Sequence, residues 1–477
     1  MRQVLADALS APPANYASLA YTAVNIIESE DQIMNIVIIG ASFAGVSAAM
    51  ELRSRDKQAT ITLLEKQPTL GYMPGSLHLY WEKKIDHLDT IRFITPKKLD
   101  QHAIHCQLGA TVLALDTAGK KVTYSLLGKE EQIDYDKVII AAGSRQLSEK
   151  IKGSENERVL KYKQYEEAQK AIDIVDRSQH ITIIGGGHVG VEAADLLNRQ
   201  QKQVTLIESM DYILFKYLDS DMTRPVQQKM LAEGIDLRLK QTVSAIDTAL
   251  EEHLVLHLGE DTLKTEAAVM GVNVRPYLPF LDASIRLNSD QTIAVDQYLR
   301  TSVEDVFAAG DCIQLTGPEE DSRYLPLINN AVRSGMTAAR NLISPVSPFK
   351  GSLKTIGTCV FGYYIASTGM TEADSLFTPR QVNSHRQTVQ LNSLPDSDTV
   401  TLKWVYDAQT HELLGAQMVS TSNILEKINT LALAIQTRQT LDEIQQTDYF
   451  FHPSYSQLTS TTSLMPWNTE ESEKNET

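Results

Sequence analysis

The clearest pattern in the chain is an unbroken apolar run, Ile36-Val37-Ile38-Ile39, whose β-branched composition predicts a strand buried on both faces. It runs into the small residues Gly40 to Gly45 and then helix-forming Val46 to Arg53; a second strand pattern, Thr60 to Leu64, ends at Glu65. The same succession returns as Ile181 to Ile184, Gly185 to Gly190, a helix face over Glu192 to Leu197, and a strand Val204 to Ile207 ending at Glu208. Two more apolar segments, Lys137 to Ile140 and Val306 to Ala308, stop at the small residues Ala141-Ala142-Gly143 and Ala309-Gly310-Asp311. Beyond Pro348 the pattern changes. Thr399 to Tyr406 and Leu413 to Val419 predict antiparallel strands, followed by a helix over Asn423 to Gln436 with Ser422, Asn423 and Glu426 as capping residues. The fold class is therefore α/β, with two Rossmann-like nucleotide-binding domains plus an α+β carboxy-terminal domain.

Both glycine turns have a chemical reading. Gly40 permits a tight turn, small Ser42 leaves the backbone approachable by a pyrophosphate, and Gly45 lets helix and strand pack closely. The helix amino end then offers free N–H groups to phosphate. Glu65, twenty-five residues past Gly40, can accept hydrogen bonds from a ribose diol. The second turn has the complete spacing Gly185, Gly187, Gly190, and Glu208 stands twenty-three residues past Gly185. An acid there favours NAD(H), because the additional phosphate of NADP(H) would meet a negative group. A degenerate glycine turn is often only structural; two turns with both acids in one chain are the stronger signal. Asp311 can bind a ribose or ribitol hydroxyl, with helix capping as the plain alternative.

Composition then narrows the partners. The 477 residues carry 44 Lys plus Arg against 60 Asp plus Glu, a net charge of −16, which opposes a general attraction to nucleic acid. Three cysteines exclude a disulfide framework, and no Cys/His spacing resembles a zinc module. The uncharged stretch Ile33 to Met50 has the length of a membrane helix, but Asn35, Gly40, Ser42, Gly45 and Ser47 spoil it, so no membrane span is expected. Residues 1–34 lack a clean apolar signal core because Asp7 interrupts Val4 to Leu9, and read as a mobile or loosely docked extension. A cytoplasmic location is the expectation.

These residues resemble the FAD- and NAD(H)-dependent pyridine nucleotide-disulfide oxidoreductases, especially the branch of NADH oxidase, NADH peroxidase and coenzyme A-disulfide reductase. The resemblance spans about Asn35 to Pro453. It implies FAD at Gly40, Ser42, Phe43, Ala44, Gly45 and Glu65, joined by Ala142, Gly143, Gly310 and Asp311 from the two return strands. It implies NAD(H) at Gly185, Gly187, His188, Val189, Gly190 and Glu208, with His188 read as a simple substituent of the turn. Gly271 to Pro276 resembles the segment leading back from the NAD to the FAD domain. Lys66 is a nearby candidate for the family's lysine–glutamate contact on the flavin. Phe451-His452-Pro453 resembles the end of the family's dimerisation domain, which implies a homodimer with His452 near the opposite flavin. His452 then has a proton-transfer, contact or packing role.

The departures bear on chemistry. The branch normally carries one redox-active cysteine after an aromatic-rich loop; the aligned position is Gly75, or its neighbour Pro74, and neither can form a sulfenate or mixed disulfide. Phe43 stands where oxidase and peroxidase members have a histidine. Tyr72 and Tyr80 flank the altered loop, as flavin or acceptor contacts or as ordinary packing, and His78 reads as a helix-surface residue, with a local proton donor as the alternative. Cys106 falls before the strand around Thr111 to Leu115, Cys312 follows Asp311, and Cys359 reads as a buried apolar thiol.

The expected layout is an extension over 1–34, FAD-binding segments 35–153 and 271–345, an NAD(H)-binding domain 154–270, a dimerisation domain 346–466 and a flexible tail 467–477. The leading expectation is an FAD-dependent NADH oxidoreductase forming hydrogen peroxide, with His452, Tyr72 and the altered position Gly75 as candidate catalytic positions. The alternatives are NADH-dependent reduction of a quinone or another small acceptor, and a catalytically inactive flavin-binding regulatory or structural protein.

Overall fold

The computed structural model describes residues 33–146, 151–250, 253–272, 274–317 and 322–457. The expected tail and all but the last two residues of the expected extension lie outside these. The first sheet is parallel, in the order Val306–Ala308, Lys137–Ile140, Asn35–Ile39, Thr60–Glu65, Ile104–Leu108. Ile36 and Ile38 in its central strand, Ile61 and Leu63 beside them, and Ile139 across from them are at most 2% exposed. Each such side chain contributes about 1.5–3 kcal/mol by leaving water. The strand Val306–Ala308 comes from far along the chain and pairs with Lys137–Ile140, so this sheet is closed by chain on both sides of the second glycine turn.

Helix Phe43–Arg55 covers the sheet, and helix Ile328–Arg340 crosses it. The crossing depends on Gly335: a Cβ there would lie 2.2 Å from the Ala44 carbonyl oxygen. The second sheet repeats the arrangement in the order Asp236–Leu239, Gln203–Glu208, His180–Ile184, Ala267–Met270, Val159–Leu160, again parallel. Helices Tyr165–Arg177 and His188–Arg199 pack on it.

The third sheet is antiparallel, in the order Ile356–Val360, Tyr363–Gly369, Leu413–Ser420, Thr399–Asp407, Val382–Gln390. Its helix spans Lys427–Gln436, starting four residues later than the pattern predicts. The reason is local. Asn423 Oδ1 accepts the Leu425 N–H at 3.2 Å, and the Lys427 N–H bonds to the Ile424 carbonyl at 3.0 Å, so residues 423–426 form a turn that competes with helix.

This domain is fastened to the second unit by the buried Lys403, whose Nζ lies 3.2 Å from Asp219 and 3.0 Å from Asp221 at the start of helix Ser220–Ala232, and 2.6 Å from Glu372 of its own domain. Burial alone would lower the lysine pKa, but its three carboxylates raise it. Among the described residues no helix is long and apolar enough to cross a membrane.

The close approach at Gly335 makes a specific prediction. Gly335→Ala should cost about 1–3 kcal/mol by overpacking against backbone that cannot retreat without moving the helix. A chemical-denaturation midpoint equal to that of the parent would contradict this account of the crossing.

Candidate functional site

At the first turn Gly40 has φ +106°, and a Cβ on it would meet the Ala141 carbonyl oxygen at 2.3 Å. A Cβ on Gly45 would sit 1.9 Å from the Gly40 carbonyl oxygen. Both positions need glycine, because backbone rather than a movable side chain fills the space. Ser42 is the N-cap of helix Phe43–Arg55 without a side-chain cap bond, Phe43 stacks on Phe93 at 4.3 Å, and Ala44 packs beneath Gly310 and Gly335. Glu65 ends the adjacent strand and accepts N–H bonds from Ala41 and Gln67, each at 2.8 Å. Burial raises its pKa, and the two N–H bonds oppose that rise. Lys66 is exposed, without an ion-pair partner among the described residues.

The two return strands converge at the same edge. Gly143, at φ +71°, has open space where a Cβ would stand, and its N–H points at Cys312 Sγ, 3.1 Å away. Ala142 precedes it in the loop after strand Lys137–Ile140. The Gly310 N–H donates to Ser334 Oγ at 2.9 Å. Asp311 accepts from Ser144 Oγ and pairs with Lys163 Nζ, both at 2.7 Å. Sequence reasoning missed Ser144 and Lys163, which come from separate loops and carry no local motif.

The second turn is built like the first. Gly185 has φ +107°, and a Cβ on Gly190 would stand 1.9 Å from the Gly185 carbonyl oxygen. Gly187, the N-cap of helix His188–Arg199, faces open space, and Val189 is exposed. Glu208 is buried; it accepts N–H bonds from Gly186 at 2.7 Å and Met210 at 2.8 Å, and a hydroxyl bond from Ser209 at 2.9 Å. Gly271 runs alongside, its N–H bonded to the Ile184 carbonyl at 2.9 Å.

Gly75 is exposed, directly precedes helix Ser76–Trp81, and would give a Cβ no neighbour within 4 Å. Tyr72 Oη donates to the Tyr162 carbonyl at 3.2 Å, and its ring meets Tyr165 edge-on at 5.9 Å. Tyr72 and Tyr80 both pack on the core shared by the second and third sheets.

Two histidines correct the sequence reading. His78 is not a surface residue: its Nδ1 lies 3.5 Å from Glu192 Oε2, and burial lowers its pKa. His188 is more than a turn substituent, since its Nε2 lies 2.9 Å from Glu192 Oε1. Thr358 Oγ1 also donates to Glu192. Burial would raise the carboxyl pKa, but His188, His78 and Thr358 together hold it down at about 2.

Burial pushes the thiols of Cys106 and Cys312 up to about 12 and also raises that of Cys359, so all three stay protonated at neutral pH. Cys106 lies within strand Ile104–Leu108, ahead of the next strand. Cys359 is exposed rather than buried, because alternation along Ile356–Val360 turns Thr358 inward and Cys359 outward. His452 is exposed, stacked on Tyr455 at 4.8 Å, with exposed Phe450 and Phe451 beside it in sequence. Among the described residues no cluster of three metal-ligating side chains occurs.

Residues 34–335 match the family described as pyridine nucleotide-disulphide oxidoreductase, and residues 355–462 match its dimerisation domain. An NADH oxidase of Enterococcus faecalis is 28% identical over 442 residues, 91% of this chain and 97% of the relative. A solved pyridine nucleotide-disulfide family oxidoreductase from the same species superposes with TM-score 0.83 at 39% identity, covering 91% of this chain and 98% of that one. The water-forming NADH oxidase from Lactobacillus brevis, solved bound to NADH, gives TM-score 0.86 at 27% identity over 90% and 96% of the two chains.

Glu192 carries a pH prediction. Its folded pKa lies below the ordinary 4.5, so its contribution to stability is present above that pH and is lost as pH falls toward about 2. Glu192→Gln should therefore lower the urea midpoint at neutral pH, and the gap from the parent should narrow through that acid window. A gap constant with pH would show that the carboxylate is not held ionised by its neighbours.

Proposed function

The chain belongs to the pyridine nucleotide-disulphide oxidoreductase family, and from that premise we propose that it is an NADH oxidase that releases hydrogen peroxide. It is an FAD- and NAD(H)-binding oxidoreductase related to NADH oxidases. The observation that carries the finer reading is Gly75: open space, and no sulfur, where the family normally has its redox cysteine.

The residues fit the two dinucleotides. Gly40, Gly45 and Gly190 leave no room for side chains, whereas Gly143 and Gly187 border open space. We assign FAD to Gly40–Gly45, Glu65, Ala142, Gly143, Gly310 and Asp311, and add Lys163 and Ser144 as the groups that fix Asp311. NADH falls to Gly185–Gly190, Gly271 and Glu208, whose carboxylate is held in place by three donors. Bound FAD supplies hydride acceptance from NADH and electron delivery onward. The chain's part is to orient the nicotinamide and to exclude a 2′-phosphate by the buried charge of Glu208.

The overall change is NADH + H⁺ + O₂ → NAD⁺ + H₂O₂. Further reduction of peroxide to water needs an oxidisable thiolate, and the three cysteines of this chain are held as thiols. A second reading is reduction of a quinone or similar acceptor beside the exposed, unobstructed Gly75. The matched dimerisation domain makes the working unit a homodimer, and the exposed aromatics Phe450, Phe451 and Tyr455 supply an apolar surface for it. We place His452 near the opposite flavin in that dimer.

Anaerobic stopped-flow mixing is the test of the cofactor assignment. NADH should bleach the flavin at least about tenfold faster than NADPH, a difference of about 1.4 kcal/mol, and Glu208→Arg should shrink the ratio. Equal rates in the parent would sink the role given to Glu208, and no bleaching would return the protein to a non-catalytic flavin binder. Replacing Gly75 by Cys together with Phe43 by His should lower the peroxide released per NADH; an unchanged yield would show that Gly75 does not occupy the thiol position. For the dimer, sedimentation should give twice the chain mass, and His452→Ala should slow turnover. A monomer with full turnover would remove the histidine from the mechanism.

A further inference from the structure

Beside the second glycine turn, one largely buried polar cluster draws on three separate parts of the chain. His78 comes from helix Ser76–Trp81, directly after Gly75; His188 and Glu192 come from the first turns of helix His188–Arg199; Thr358 comes from the edge strand of the third sheet. The Glu192 carboxylate lies between the imidazoles, 3.5 Å from His78 Nδ1 and 2.9 Å from His188 Nε2. The Tyr162 ring stands 6.1 Å from that of His78, and Lys163, next in the chain, is the partner of Asp311. The cluster thus spans the space between the Gly75 segment and the second glycine turn.

From this placement, and resting on the oxidoreductase reading above, we propose that the His78–Glu192–His188 cluster holds the proton that reduction of the acceptor consumes. A two-electron acceptor such as dioxygen or a quinone takes up two electrons and two protons. NADH provides both electrons and one proton when its C4–H bond breaks. The second proton leaves an imidazolium N–H of the cluster, a new O–H bond forms on the acceptor, and the imidazole is reprotonated from water. The side chains of His78, His188 and Glu192 are 20%, 23% and 23% exposed, while the Nε2 atoms of both rings are shielded from water. Glu192 is the positioning residue: its carboxylate lies between the two rings, and its charge favours protonated His78.

The surroundings suit this role. Among the described residues no lysine or arginine pairs with Glu192, so the two imidazoles are its basic neighbours. The other titratable groups facing the cluster are Glu82, whose charge favours protonated His78, Tyr162, and Tyr217, whose ring meets His188 at 6.2 Å. Burial works in the opposite direction on His78, which makes it a willing donor rather than a permanent cation.

The holoenzyme can be tested with two acceptors that differ in proton demand. Benzoquinone takes two electrons with two protons, whereas ferricyanide takes electrons alone. In Glu192→Gln the ratio of benzoquinone to ferricyanide turnover at mildly acidic pH, where the parent imidazoles still carry the proton, should fall by about 100-fold, the lower end of general-acid contributions. In the same flavin-loaded variant, carbon-labelled histidine NMR should show His78 titrating at lower pH than in the parent, since Glu192 no longer supports its charge. An unchanged ratio, or an equal loss with both acceptors, overturns the proposal and leaves Glu192 a packing or nucleotide-orienting group. Should Glu192→Gln fail to retain flavin, His78→Asn and His188→Asn are read by the same ratio, and no fall in either overturns the proposal equally. A protein that ignores oxygen but shows the ratio effect would defeat the oxidase reading while keeping the proton store.

Discussion

Everything in this fold that touches nucleotide chemistry depends on one close approach, a helix backbone set against the carbonyl that ends a buried strand. At Gly45 over Gly40, and again at Gly190 over Gly185, a Cβ would stand 1.9 Å from that oxygen. No side chain can be accommodated, so each helix starts at the carboxyl edge of its sheet with its amino end open. The neighbouring acid completes the arrangement by bonding back to the turn: Glu65 to Ala41 and Glu208 to Gly186. Each acid is thereby fixed in orientation by its own turn.

The third domain turns two nucleotide-binding sheets into one enzyme framework. Val360, Phe361, Ile365 and Val419 share a core with Leu196 and Leu197 of the second unit and with Leu77 and Trp81 of the helix after Gly75. Lys403, caught among three carboxylates, adds a charged fastening at another point of the same boundary. The Gly75 segment is thus packed against groups from all three regions, which explains how His78, Glu192 and Thr358 come within reach of one another.

The architecture was legible because it is written in local periodicity. Strand runs, glycine spacing and the terminal acids of strands are patterns within thirty or so residues, and they suffice for an α/β fold with two Rossmann-like units and an α+β segment. What stayed hidden is contact between distant segments. Nothing around Lys163 announces Asp311, and nothing around His78 announces Glu192; each pair is separated by more than a hundred residues. The exposed Cys359 and the late start of helix Lys427–Gln436 are smaller lessons of the same kind, set by strand alternation and by the Asn423 turn rather than by hydrophobicity.

The central proposal is chemical: with Gly75 assigned to the thiol position, reduction of oxygen should stop after two electrons. The most direct measurement follows oxygen, NADH and peroxide together in catalase-free protein. The account predicts one oxygen consumed and one peroxide formed for each NADH oxidised. Two NADH oxidised per oxygen with no peroxide released would contradict it, and would require one of Cys106, Cys312 or Cys359 to work as a redox thiol despite a pKa raised in all three.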